Sequence, residues 1–124
     1  MTKVLAGRRI DMCSGNTLDM IKREMCNEAR VIFGEKLQSI FLYGSYARGD
    51  FNDESDIDIM IIADINQDEL IEAKKILSNY MFEQNLKHDV VLSIILQDKD
   101  FFDKWRDDLP FFRNVIREGV DLVA

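Results

Sequence analysis

The stretch from Asp56 to Ala63 reads Asp-Ile-Asp-Ile-Met-Ile-Ile-Ala, and it constrains the fold more than any other part of the chain. After its two aspartates it is almost wholly apolar. A run with no polar alternation predicts a central strand buried on both faces. The acids at its start are harder to place, because an unpaired buried carboxylate is costly. In an extended chain, residues i and i+2 point the same way. Asp56 and Asp58 would then share a face, roughly 6.5–7 Å apart along the strand. Two carboxylates so close can hold divalent cations between them.

The rest of the chain supplies partners for that strand. Leu18, Ile21, Met25, Ala29 and Ile32 recur at three- and four-residue steps, which predicts a helix with one apolar stripe. Asn16 or Thr17 suits its start, and Gly34 lies near its end. Residues 1–16 carry no clear period and read as an irregular lead-in. Ser39 to Tyr43 is short, apolar and aromatic, so a second buried strand is expected there. Gly44 breaks it, residues 45–49 form a helical turn, and residues 50–55 have loop chemistry. Gln67 to Leu86 predicts a long helix with Leu70, Ala73, Leu77 and Met81 on one side. His88 to Leu96 reads as a third strand, with Asp89, Val91, Ser93 and Ile95 sharing a face. Asp98 to Trp105 looks helical. Pro110 suits the first turn of a last helix, with Phe111, Phe112, Val115 and Ile116 apolar and Gly119 as its stop. The expected fold class is α/β (α+β): a small mixed β-sheet packed by helices.

At 124 residues, one domain over the whole chain is the expectation. The formal net charge is −7, and no Lys/Arg-rich tract or basic stripe is present. Direct nucleic-acid binding is therefore not expected. Cys13 and Cys26 are scattered, which fits a reducing cytoplasm better than a disulfide scaffold. The single His88 argues against zinc. No apolar run reaches about 18 residues, so no membrane span is expected, and the N-terminal residues lack the apolar core of a signal peptide.

Upstream of the acid pair lies Gly44-Ser45-Tyr46-Ala47-Arg48-Gly49-Asp50. A glycine turn after a strand can present backbone N–H groups to a phosphate. Metals and phosphate in one site point to phosphoryl or nucleotidyl transfer. Asp89, at the start of another buried strand, offers a third carboxylate. Competing motifs fail on single positions. Gly44 to Gly49 has the glycine spacing of a P-loop, but Asp50 stands where lysine is required. Asp50, Asn52 and Glu54 alternate like an EF-hand loop, yet Ser55 replaces its turn glycine and Ile61 its closing glutamate. Ser45 has no histidine partner suited to a nucleophile. The Phe101-Phe102 and Phe111-Phe112 pairs read as core or partner contacts rather than base-stacking platforms.

Gly-Ser, then Ala-Arg-Gly, then Ser-Asp-Ile-Asp resembles the signature of the minimal nucleotidyltransferases of the DNA polymerase β-like superfamily. The wording is especially similar to short bacterial proteins encoded beside HEPN-domain ribonuclease toxins. The resemblance covers roughly residues 37–96, and Pro110 to Leu122 is similar to the end of that group. It implies a polymerase β-like fold. It also implies that Gly44 and Ser45 hold the β- and γ-phosphates of ATP, that Asp56 and Asp58 coordinate two Mg²⁺ ions, and that Asp89 completes one metal site near the attacking hydroxyl. Arg48 either pairs with the triphosphate or serves as a surface or partner contact. The implied acceptor is a tyrosine of a HEPN ribonuclease toxin, silenced by AMP in a hetero-oligomer, with this chain as cytoplasmic antitoxin. The other readings are a catalytically silent antitoxin that neutralises by binding, and a small-molecule nucleotidyltransferase.

Overall fold

The computed structural model describes residues 15–52 and 55–123. Helix α1 (Gly15–Phe33) leads through a 3₁₀ turn (Gly34–Lys36) into strand β1 (Leu37–Tyr43). The short helix α2 (Ser45–Arg48) and a loop connect to β2 (Ile57–Ala63). Then follow α3 (Gln67–His88), β3 (Leu92–Asp98), α4 (Lys99–Trp105), α5 (Pro110–Glu118) and a two-residue strand β4 (Val120–Asp121). The lead-in expected over residues 1–16 lies outside the described residues, apart from its last two, which begin α1.

The four strands form one mixed sheet in the order β3-β2-β1-β4. β1 is antiparallel to both β2 and β4, and β2 is parallel to β3. The apolar run of residues 57–63 is indeed a central strand, and its alternation divides the core in two. Ile57, Ile59, Ile61 and Ala63 pack with Ile21, Met25 and Ala29 of α1 and with Ala73 and Leu77 of α3. Met60 and Ile62 face the other way and pack with Phe102 of α4 and Phe112 and Val115 of α5. Six residues of β2 are buried. The exception is Asp58, which is only half-buried and, by the period of two, faces α4 and α5.

Local signals explain most element ends. Gly34 closes α1 in the left-handed region at φ +56°. Asn66 caps α3, accepting from the Glu69 N–H at 2.9 Å, while the Glu69 carboxylate accepts the Asn66 N–H at 3.0 Å. Asp98 caps α4 through the Phe101 N–H at 3.0 Å, and Pro110 occupies the first turn of α5.

Two expectations are corrected. The third strand does not begin at His88: α3 continues through that residue, and β3 starts only at Leu92. The cause is tertiary. Glu24 of α1 holds Lys87 at 2.8 Å and His88 at 3.0 Å, and the Asn85 side chain accepts the Leu92 N–H at 2.8 Å. The last turn of α3 is thereby tied to α1, and the first residue of β3 is tied back to α3. The second correction is β4, which was not anticipated. Gly119 does end α5, and the chain then turns beside β1, with Val120 opposite Leu42 and Asp121 opposite Phe41.

Candidate active site at the Gly44 turn

The turn at Gly44 is built around a backbone that only glycine adopts readily. Gly44 sits at φ +77°, ψ −154°, and a Cβ placed on it would collide with Oδ2 of Asp58. Main chain and carboxylate are therefore in direct contact, two elements apart in sequence. The Gly44 carbonyl accepts the N–H groups of Ala47 (3.1 Å) and Arg48 (3.0 Å), which winds α2 immediately behind the turn. Gly49, at φ +85°, closes α2.

Asp58 stands opposite Tyr43 on β1 and beside Ser93 on β3. Asp56 lies just before β2 and is exposed. Burial, and next the charge of Asp56, push the Asp58 carboxyl above the ordinary carboxylate range, while Arg48 opposes the shift. The Tyr43 hydroxyl is pushed up to about 12, by burial first and by Asp58 second. Ionised Asp58 is thus held against two unfavourable influences. A cation between the two carboxylates would relieve both. Hard oxygen donors suit Mg²⁺, which commonly takes one or two carboxylates and completes its shell with phosphate and water. The residues present fit such an ion.

Asp89 does not join this pair. It caps α3 in the left-handed conformation at φ +53°, ψ +48°, is exposed, and lies before β3 rather than on it. Among the described residues, no three acidic, histidine or cysteine side chains gather as a metal site. Arg48 is engaged elsewhere: its Nε donates to Asp50 at 3.1 Å and its Nη1 to Glu118 of α5 at 3.1 Å. Ser45 opens α2 beside Gly44. Reasoning from sequence overlooked Tyr43 and Glu118. The i, i+1 adjacency of Tyr43 to Gly44 could have flagged the first, whereas no local signal marks Glu118.

A glycine turn pressed against paired carboxylates at the end of a mixed sheet is the arrangement of a nucleotidyl-transfer site. The family model described as the nucleotidyltransferase domain matches residues 18–118, and the chain belongs to that family. It is 37% identical over 98 residues to a Methanocaldococcus jannaschii protein named as a candidate protein adenylyltransferase, covering 78% of this chain and 89% of that protein. A second candidate protein adenylyltransferase of the same organism is 29% identical over 89 residues, covering 72% and 88%. Among solved structures, a toxin–antitoxin crystallised with AMP-PNP superposes with a TM-score of 0.53 at 21% identity, covering 82% of this chain and 71% of that one. A double aspartate-to-glutamate variant of the toxin–antitoxin MntA-HpeT gives 0.50 at 18% identity, covering 82% and 70%. These last two likenesses establish the fold. The chain is a nucleotidyltransferase, and no described helix is long and apolar enough to cross a membrane.

Proposed function

We propose that this chain transfers AMP from ATP to a hydroxyl of a partner protein, a tyrosine of a HEPN ribonuclease toxin, and thereby acts as its antitoxin in the cytoplasm. The observation that carries the proposal is the contact of the Gly44 backbone with the Asp58 carboxylate. It brings the glycine turn and the carboxylate side by side, which supports a reading in which the turn accepts phosphate and the carboxylate a cation, as attack on a nucleotide's α-phosphorus requires. The names of the Methanocaldococcus relatives support protein adenylyl transfer, and the toxin–antitoxin neighbours support a toxin as acceptor.

In this reading the 124 residues act as one domain. Gly44 and Ser45 hold the terminal phosphates, and Arg48 exchanges Glu118 for a phosphate oxygen, a trade that suits a guanidinium. Asp56 and Asp58 would hold Mg²⁺, which when bound supplies charge stabilisation to the attacking and departing oxygens. The acceptor oxygen forms a bond to the α-phosphorus as the bond to the bridging oxygen breaks. Pyrophosphate leaves, and the hydroxyl proton passes to water. The third-ligand role for Asp89 is not carried forward, because Asp89 stands apart from the pair.

That same placement favours one second reading, an antitoxin that neutralises by binding alone. Incubation with α-labelled ATP, Mg²⁺ and the HEPN partner separates the two. The enzyme reading expects label on the partner, lost in Asp56→Asn with the fold retained. Full protection by Asp56→Asn in cells, with no label transferred by the wild type, would establish the binding reading instead.

A further inference from the structure

The face of the sheet that carries Asp58 also carries aromatic side chains that the core does not use up. Tyr43, opposite Asp58, meets the ring of Phe111 edge-on at 5.7 Å. Phe111 lies 6.1 Å from Phe112, and Phe112 meets Phe101 edge-on at 6.0 Å. Phe101 in turn lies 6.4 Å from Trp105. The chain of rings therefore begins beside the catalytic carboxylate and runs outward over α5 and α4. Its members divide sharply. Phe112 is 4% exposed, whereas Phe111 and Phe101 are 44% and 43% exposed. Two large rings, both packed on the buried Phe112 and both left nearly half in water, make an aromatic ridge on α5 and α4.

We infer that the Phe111–Phe101 ridge is the docking surface for the protein that supplies the acceptor hydroxyl. The inference rests on the proposed protein adenylyl transfer and assigns the surface that serves it. Three observations select this occupant. Its inner end, Phe111, meets Tyr43 opposite Asp58, where the hydroxyl must arrive, so a protein seated there would present side chains at the acids. It extends over successive rings of two helices, whereas a nucleobase covers one ring. Its flanks carry Lys99, Lys104 and Arg106 against Asp100, Asp103, Asp107 and Asp108, a balance that offers no attraction to a nucleic-acid backbone. Exposed aromatic anchors are the usual energetic centre of protein interfaces.

The test uses the full chain, its HEPN partner, and the double variant Phe101→Ala/Phe111→Ala. Partner affinity is measured without nucleotide by titration calorimetry, and ATP–Mg²⁺ affinity is measured separately on the free chain. The expected result is at least tenfold weaker partner binding with unchanged ATP binding and a cooperative thermal melt. Phe111→Glu, which keeps a long side chain at the exposed position, should reproduce the loss if the double variant melts early. Unchanged partner binding would overturn the assignment. So would a fall in ATP affinity with partner binding intact, since the ridge would then hold the nucleobase. A wild-type chain that binds the partner through the ridge but labels nothing would leave the docking surface standing and remove the transfer reaction.

Discussion

Gly44 and Asp58 touch, and the contact leaves no room for a side chain on the glycine. The turn is fixed from two directions: its backbone occupies a region that only glycine enters readily, and its outer surface is the carboxylate of the next strand. The glycine turn and the Asp58 carboxylate are one packing unit. Distortion of either moves the other.

Gly44→Ala should accordingly lose both stability and function. The strained backbone alone costs about 1–3 kcal/mol, and the displaced carboxylate adds to it. Thermal melts should show a lowered Tm, and ATP–Mg²⁺ binding should fall by more than tenfold. Gly49→Ala shares a positive φ but meets open space, so it should cost stability with a smaller effect on ATP binding.

Asp58→Asn should stabilise the free protein at neutral pH while abolishing transfer. The folded Asp58 carboxyl sits above its ordinary value. Its favourable contribution is therefore full below the unfolded carboxylate range and is lost as pH rises through the raised folded value. Melts in a chelator should show the variant above the wild type at pH 7 and the two converging as pH falls. Mg²⁺ should raise the wild-type Tm and leave Asp58→Asn unmoved. A wild type indifferent to both pH and Mg²⁺ would remove the electrostatic account of the acid pair.

Asp89→Asn should leave transfer within about threefold of the wild type, because asparagine tolerates the left-handed cap position and the carboxylate stands apart from Asp56 and Asp58. Asp56→Asn, measured beside it, should fall by at least a hundredfold. Equal losses in the two variants would restore Asp89 as a ligand.

Arg48 should give opposite signs at the two ends of its ion pair. Arg48→Gln should raise the KM for ATP several-fold with little change in Tm, since exposed pairs contribute little to stability. Glu118→Gln removes one of the two carboxylates that hold the guanidinium and should lower that KM. If both variants leave KM unchanged, Arg48 serves the surface or the partner.

Glu24 ties α3 to α1, and the hydrogen bond from Lys87 holds its carboxyl below the ordinary range, with partial burial opposing and His88 assisting. A depressed carboxylate contributes stability above its unfolded pKa and loses it as pH falls through the folded one. Glu24→Gln should therefore lower Tm at pH 7 and converge with the wild type in acid.

What the sequence determined by itself was everything that depends on neighbours a few residues away. The apolar run at 57–63 had to be a central strand, the stripe from Leu18 to Ile32 had to be a helix, and a glycine was needed at the turn. The run also carried Asp58 into β2, on the face that Met60 and Ile62 share, because side-chain direction repeats with a period of two. Tertiary structure decided the rest. Asp89 was read onto a strand, but the competition between extending α3 and extending β3 was settled by Glu24 and Asn85, neither of which is visible to a local pattern. β4 exists only because β1 offers an edge to two residues with no strand signal of their own. The phenylalanine pairs looked alike in sequence. Helix packing against the sheet buried Phe102 and Phe112 and left Phe101 and Phe111 exposed. Periodicity fixes the direction of a side chain within its element, and only the packing of elements fixes what it meets there.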